Sequence, residues 1–206
     1  MADGIVHSQK LQSLLDKLKP LGLFTLAQAE EIGISQATLS RLSQEGAVKR
    51  VSHGLYLHPD SSIPPEEIDL AIAQKKFGKD ATIGGITALY HYGLIDQVPT
   101  QIWVMVPAEK QTHDPLYRLL RIKTPLDIGI TQHKSFNITN LERTLVEAFR
   151  YASKIGLRTA IRATQRAIEE GRTSLERIAQ MAKALHLPQF LNPYWEVLIA
   201  TTEEAA

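Results

Sequence analysis

One short stretch of the sequence, residues 35–53, carries polar and basic side chains of the kinds that contact nucleic acids. Arginine can donate two hydrogen bonds to a guanine edge, glutamine can pair in the same way with adenine, and alanine can contact the thymine methyl group. Serine and lysine side chains bond phosphate oxygens, as do backbone amides at the start of a helix. The residues that we predict to contact DNA are Ser35, Gln36, Ala37, Ser40, Arg41, Gln44, Lys49, Arg50, Ser52 and His53.

A row of cations recurs at helical spacing later in the chain. Arg158, Arg162 and Arg166 are four residues apart, which makes them neighbours on one face of a helix. Lys154 extends the row, across a glycine that is predicted to interrupt the helix. No acid occurs over residues 148–168, so these cations repel one another unless a polyanion neutralises them. We expect the row to contact the DNA backbone or an acidic partner, or to be a solvated face.

Signals for two helices joined by a tight turn position the first group of residues. Thr25 and Gln28 have the spacing of a capping box, in which each side chain bonds the backbone amide of the other residue. Gly33 favours the left-handed backbone that ends a helix, and Ser35 is a good N-cap for the next one. The second helix is predicted over about residues 35–45, and its polar face lies opposite two leucines.

Two short strand-forming runs follow this helix. VKRV at 48–51 and LYLH at 55–58 are separated by three residues that include a glycine, which predicts a short hairpin. Helix, turn, helix and hairpin are the elements of a winged helix-turn-helix, whose second helix enters the DNA major groove. The hairpin, or wing, is then expected to contact phosphates or the minor groove. The alternative is a winged helix that serves only protein contact, with Arg41 on a solvated face.

The remainder of the chain predicts a second, mixed domain. PDSSIPP at 59–65 has the composition of a linker, so we place the winged-helix domain at 1–60 and a C-terminal domain at 65–206. IWVMV at 102–106 has the pattern of a buried strand. The predicted fold class is α+β: an N-terminal winged helix-turn-helix followed by a mixed α/β domain with a helical C-terminal part.

The chain from residue 139 onward is predicted to be helical. Thr139 and Glu142 have the capping-box spacing, and so do Thr173 and Glu176. We therefore predict that two of the C-terminal helices begin at these threonines.

The composition argues against several kinds of chemistry. The 206 residues include no cysteine, which excludes disulfides, thiolate zinc sites and cysteine nucleophiles and suits a cytoplasmic protein. No apolar run approaches the ~18 residues of a membrane helix, and the N-terminus lacks a signal-peptide core. The seven histidines have no zinc-site spacing, and no phosphate-loop, dinucleotide or serine-hydrolase motif occurs. We expect no enzymatic activity, no cofactor, no metal and no membrane partner.

Two rival functions remain open. One is a protein-interaction module or stand-alone regulator whose C-terminal domain docks a partner, with DNA binding secondary. It is supported by a wing with few basic residues and by the aromatic C-terminal segment LPQFLNPYWEVLIA. The other is a metal-dependent nuclease, for which Asp80, Glu109 and Lys110 are the candidate residues.

Three blocks of sequence, in this order, resemble the AbiEi family of antitoxin-like transcriptional regulators from bacterial type IV toxin–antitoxin (abortive infection) systems. The blocks are GISQATLSRLSQEGAVKRVSHGLYLHP, ATIGGITALYHYGLIDQVPTQIWVMVP and FNITNLERTLVEAFRYA. The resemblance extends over about residues 8–200.

The resemblance implies a repressor that binds inverted repeats in its own double-stranded promoter DNA and so regulates its own expression. It also implies a nucleotidyltransferase-type toxin as the functional partner, opposed without a stable complex, with much of the antitoxic role in the C-terminal domain. By position it assigns Ser35, Gln36, Ser40, Arg41 and Gln44 to the recognition helix, and Lys49, Arg50 and His53 to the wing. The arginine row fits an additional basic surface toward DNA.

Overall fold

A computed structural model of the protein describes residues 2–122 and 127–204, with side chains described at residue 9, at 11–122 and at 127–200. The chain divides into two compact units, one up to Ile72 and one from Ala73 onward. This division falls inside the helix that follows the predicted linker. The domain limits of 1–60 and 65–206 remain a prediction from the sequence.

The first unit has the elements of a winged helix. In chain order they are α1 (Ala2–Leu18), β1 (Leu23–Thr25), α2 (Leu26–Glu31), α3 (Gln36–Gln44), β2 (Lys49–Ser52) and β3 (Leu55–Leu57). Strand β3 lies between β1 and β2 and is antiparallel to both. The helix-turn-helix is α2 and α3, and the wing is the hairpin of β2 and β3.

The predicted helix signals of this unit are confirmed. The Thr25 hydroxyl accepts from the Gln28 amide at 3.2 Å, and the Gln28 side chain accepts from the Thr25 amide at 3.1 Å. The Ser35 hydroxyl accepts from the Thr38 amide at 3.3 Å. Gly33 has φ 81°, the left-handed conformation that was predicted for the glycine that ends the first helix of the helix-turn-helix.

Strand β1 is the element of this unit that the sequence did not predict. Phe24 of β1 lies opposite Tyr56 of β3, and their rings stack with centroids 6.0 Å apart. Three residues are too few to show the alternation that identifies a strand. The strand forms because β3 offers a partner and because the unit's core buries both rings.

The core of the first unit fixes which face of α3 is available. Leu39 and Leu42 are fully buried, together with Leu18, Phe24 and Ile34. At about 100° per residue this leaves the other side of α3 toward solvent. A second apolar cluster lies against the wing sheet and includes Leu23, Leu55, Leu57, Ala71 and Ile72.

The second unit contains a five-stranded mixed sheet. Helix α4 (Ile68–Phe77) crosses the division, and β4 (Thr82–Ile83), α5 (Gly85–His91), β5 (Ile102–Val106), β6 (Tyr117–Arg121), β7 (Ile130–Gln132) and β8 (Asn137–Thr139) follow. The strand order is β6-β5-β4-β8-β7, with β5/β6 and β4/β8 parallel and the other pairs antiparallel. The mixed sheet and the preceding winged helix confirm the predicted α+β class.

Two glycines let α5 approach the sheet closely. Gly84 donates its amide to the Trp103 carbonyl at 3.1 Å, and a Cβ at Gly84 would lie 2.7 Å from the Met105 sulfur. Gly85 has φ 56°, and its Cβ would lie 2.5 Å from the Trp103 ring. Both glycines are therefore required because a side chain would not fit, and Gly85 is required also for its left-handed backbone.

Helices form the C-terminal part, as predicted. They are α6 (Leu141–Arg150), α7 (Ala152–Ile155), α8 (Leu157–Glu169), α9 (Leu175–Ala184), α10 (Pro188–Leu191) and α11 (Trp195–Glu204). They contribute to an apolar core cluster that includes Leu145, Phe149, Ile178 and Leu198. Among the described residues, no helix has both the length and the apolar character needed to cross a bilayer.

The two capping predictions for this part were wrong by one residue. Asn140 caps α6 by accepting from the Arg143 amide, and Ser174 caps α9 by accepting from the Arg177 amide. Thr139 is instead the last residue of β8, where its hydroxyl bonds the Thr144 hydroxyl at 2.7 Å. Each threonine precedes a second good capping residue, and spacing alone does not say which of the two has the extended backbone of an N-cap.

Buried charges lie on α6. Arg143 and Glu147 are fully buried and form an ion pair, and Arg143 also donates to the Ile128 carbonyl. Burial lowers the pKa of Arg143, because desolvation disfavours its charge. Tyr151 lies at the end of this helix, where burial and the Glu147 carboxylate raise its pKa to about 12.

Candidate nucleic-acid interface

Helix α3 presents one continuous polar face. The exposed side chains on that face are Gln36, Ala37, Ser40, Arg41 and Gln44. These are five of the residues predicted to contact bases, and their exposure follows from the burial of Leu39 and Leu42 on the opposite side. No bulky apolar side chain interrupts the face, so a flat nucleic-acid edge can approach it.

The start of α3 is held in place by its cap. The Ser35 hydroxyl lies 3.3 Å from the Thr38 amide and 3.1 Å from the Thr38 hydroxyl. Ser35 is itself exposed, and the first amides of a helix have no partner within the helix. The helix dipole adds partial positive charge at this end, so Ser35 and the neighbouring amides have the chemistry to hold a phosphate.

Arg41 has a partner that the sequence analysis missed. Its Nε lies 3.8 Å from Oε1 of Glu45, one turn further along α3, and both side chains are solvent-accessible. An exposed pair of this kind contributes about 0–1 kcal/mol. Arg41 can therefore exchange Glu45 for a base edge at small energetic cost. The i, i+4 spacing of the two residues was the available signal.

The wing carries the remaining predicted contacts. Lys49 and Arg50 are exposed on β2, Ser52 is half-buried at its end, and His53 is exposed in the turn. A register shift between Arg50 and Ser52 leaves Val51 as a bulge in the pairing with β3. A bulge changes the direction of the side chains next to it. Here the bulge directly follows the two cations Lys49 and Arg50.

Arg50 and His53 are joined across the wing turn. Nη2 of Arg50 lies 3.3 Å from Nδ1 of His53. Arginine has no acceptor, so Arg50 is the donor in this contact. The contact links two residues at the tip of the wing that were each predicted to contact DNA.

The arginine row is exposed on α7 and α8. Lys154, Arg158, Arg162 and Arg166 all face solvent. Gly156 has φ 97° and separates the two helices, as predicted. Arg158 and Arg162 make no ion pair with the described part of the chain.

The expectation that the whole row lacks acidic partners was wrong for Arg166. Its Nε donates to Glu170 at 2.9 Å, and its Nη1 lies 3.4 Å from Asp96. These hydrogen bonds, the one to Glu170 first, raise the pKa of Arg166 above its ordinary value. Glu170 lies just beyond the acid-free stretch, and Asp96 is 70 residues distant in sequence, so no local pattern indicated it.

Among the described side chains, at residue 9, at 11–122 and at 127–200, no group of three or more His, Cys, Asp or Glu could hold a metal ion. The nuclease candidates Asp80 and Glu109 belong to no such group among these side chains, and the nuclease alternative with Asp80, Glu109 and Lys110 stays a prediction.

The first unit has the fold of a winged helix with an exposed polar face on α3. The family model described as "Transcriptional regulator, AbiEi antitoxin" matches residues 9–59, which are the winged-helix segment. The AbiEi resemblance is thereby confirmed for that segment, and the match indicates a transcriptional regulator of antitoxin type.

The whole chain also has a structural relative. The crystal structure of the RV2827C protein from Mycobacterium tuberculosis is similar with a TM-score of 0.61 and 15% sequence identity, and the alignment covers 94% of this chain and 80% of that one. The similarity shows a shared fold that includes both units. No curated protein matches the sequence significantly.

Proposed function

We propose that this protein is a cytoplasmic, non-enzymatic repressor that binds inverted repeats in double-stranded DNA upstream of its own gene. The observation that carries the proposal is the exposed polar face of α3, presented beyond a capped three-residue turn. The match of residues 9–59 to a transcriptional-regulator family supports it.

Base reading belongs to the middle of α3 in this proposal. Arg41 bonds a guanine edge, Gln44 or Gln36 bonds adenine, and Ala37 contacts a thymine methyl group. Ser40 is short enough to let the helix lie deep in the groove. Each good bidentate contact contributes about 1–3 kcal/mol of discrimination against a wrong base.

Phosphate contacts belong to the capped end of α3 and to the wing. Ser35 and the first helix amides hold one phosphate, while Lys49, Arg50, Ser52 and His53 hold others. The arginine row at Lys154, Arg158, Arg162 and Arg166 is a further basic surface for the DNA backbone or for an acidic partner. Two copies of the chain occupy the two halves of an inverted repeat, because a two-fold symmetric site matches two-fold symmetric proteins.

The functional partner in this proposal is a nucleotidyltransferase-type toxin, which the protein opposes as the antitoxin of a type IV system. No stable complex with the toxin is required. Repression by promoter occlusion then sets the level of both proteins. The AbiEi antitoxin match supports this assignment.

Nuclease footprinting of the DNA upstream of the gene tests the proposal. We expect two protected half-sites, related by a dyad and separated by about one helical turn or a multiple of it. Absence of discrete protected half-sites at every protein concentration below the one that coats DNA non-specifically would contradict operator binding. Cleavage by the protein itself in added Mg²⁺ or Mn²⁺ would contradict its non-enzymatic character.

A further inference from the structure

A cleft of about 520 Å³ in the second unit has the size of a small-molecule site. Thr159 and Arg162, three residues apart on one face of α8, line the cleft together with Ile155, the last residue of α7. Leu94 and Ile95 from the loop after α5 also line it. The cleft therefore combines an apolar wall with a cation at its mouth.

Two polar groups in the cleft lack partners in the described part of the chain. The Arg162 guanidinium is exposed and makes no hydrogen bond or ion pair there. The Thr159 hydroxyl lies about one turn earlier on the same face and also makes no hydrogen bond there. A guanidinium fork matches carboxylate and phosphate oxygens, and the hydroxyl adds a further donor.

The acids around the cleft do not cancel this positive charge. Asp96 pairs with Arg166 at 3.4 Å, Arg166 also pairs with Glu170, and Glu170 pairs with Arg172, so the charges of these four residues sum to zero. Glu169 lies seven residues from Arg162, which is about 10.5 Å along a helix and beyond a Debye length of about 8 Å. Ile155 precedes Arg162 in the chain and Glu169 follows it. The apolar contact at Ile155 is therefore on the side of Arg162 away from Glu169.

We propose that this cleft binds a small amphipathic oxyanion. Its carboxylate or phosphate head bonds Arg162 and Thr159, and its apolar body packs against Ile86, Ile95 and Ile155. All of these residues belong to the second unit, and the inference goes beyond DNA binding. Its test contains no DNA, so the two proposals can fail separately.

Isotope-labelled isoleucine methyl groups in the full-length protein report binding directly. The probes share one apolar body and differ in the head: 2-naphthylacetate, 2-naphthyl phosphate and the neutral 2-naphthylacetamide. We expect saturable shifts of the Ile86, Ile95 and Ile155 methyls with either anion, and no shift at Ile34 in the first unit. The amide should bind at least roughly tenfold more weakly, as expected for loss of a charge-assisted hydrogen bond. Comparison of the two anions tells which head the cleft prefers.

Two arginine variants separate the cleft from general surface charge. Arg162→Gln should abolish the preference for the anions over the amide, while Arg158→Gln should leave it intact, because Arg158 is exposed but does not line the cleft. The methyl spectrum of each variant without probe shows whether it is folded. Equal binding of acid and amide by the unmodified protein, equal effects of the two variants, or no shift with any probe would overturn the proposal.

Discussion

Arg41 is the side chain in which the structure adds most to the sequence analysis. Its type predicted a base contact, and the fold places it on the exposed face of α3 with Glu45 as its neighbour. In the free protein the carboxylate orients the guanidinium. In the proposed DNA complex, Glu45 would compete with the base edge for Arg41 and would repel the phosphates.

We predict opposite effects of substitutions at the two members of this pair. Arg41→Ala should weaken operator binding by about 1–3 kcal/mol and relax specificity at one base position. Glu45→Gln should tighten binding to all sequences, because it removes a carboxylate from the DNA-facing helix. Fluorescence anisotropy with operator duplexes substituted at single positions measures both.

Lys19→Ala provides the matched control, since Lys19 is an exposed cation of the same unit that pairs with Asp60 and lies outside α3 and the wing. It should leave specificity unchanged. A uniform loss on every duplex for Arg41→Ala would assign this residue to phosphate contact and refute base reading.

Tyr151 gives a prediction for stability at high pH. Its pKa is about 12 in the folded protein, against about 10 for an unperturbed tyrosine. A raised folded pKa contributes stability that is fully present below pH 10 and is lost as pH rises toward 12 and beyond. Tyr151→Phe should therefore unfold in urea with a shallower loss of stability over this pH window than the unmodified protein.

All other side chains are the same in the two proteins, so the difference in slope isolates Tyr151. Identical slopes for the two proteins between pH 10 and pH 12 would contradict a half-buried phenol with a raised pKa at this position.

At the scale of elements, local signals predicted the helices well and the caps less reliably. Thr25, Ser35, Gly33 and Gly156 act as the sequence indicated, because capping and left-handed glycine are decided by adjacent residues. Asn140 and Ser174 took the caps predicted for the preceding threonines. Strand β1 was missed, since its pairing with β3 depends on residues over 30 positions away.

The Gly84-Gly85 turn is a feature that only the fold explains. We predict that Gly85→Ala destabilises the protein by about 2–4 kcal/mol, because the residue has a left-handed backbone and its Cβ would meet the Trp103 ring. Gly93→Ala is the matched control: Gly93 has φ 65° but open space around its Cβ. It should cost only about 1–2 kcal/mol.

Urea unfolding of both glycine variants gives the comparison. Equal losses would show that backbone conformation alone explains the requirement for glycine at position 85, and would contradict the close approach of α5 to β5.

At the scale of the whole molecule, charge distribution decides what the C-terminal unit contributes. The row Lys154, Arg158, Arg162 and Arg166 was predicted from spacing, and its exposure follows from the amphipathic pattern of α8. The pairing of Arg166 with Asp96 was not predictable, because it depends on tertiary packing. The charge available to a polyanion is therefore smaller than the sequence count suggests.

The salt dependence of DNA binding tests the role of this row. Arg158→Gln should reduce the slope of log affinity against log salt by about one, as for one lost phosphate contact. Arg166→Gln should reduce it by less, since two carboxylates already neutralise this residue in the free protein. Unchanged slopes for both variants would assign the row to solvent or to a protein partner.

The central claim is sequence-specific binding to the protein's own upstream DNA, and equilibrium binding across a salt series tests it most directly. The upstream duplex and a scrambled duplex of equal length and composition are titrated with the same protein. We predict that the upstream duplex binds at least about 10³-fold more tightly at physiological salt, with affinity that falls steeply as salt rises. Equally weak binding to both duplexes would contradict operator recognition by α3.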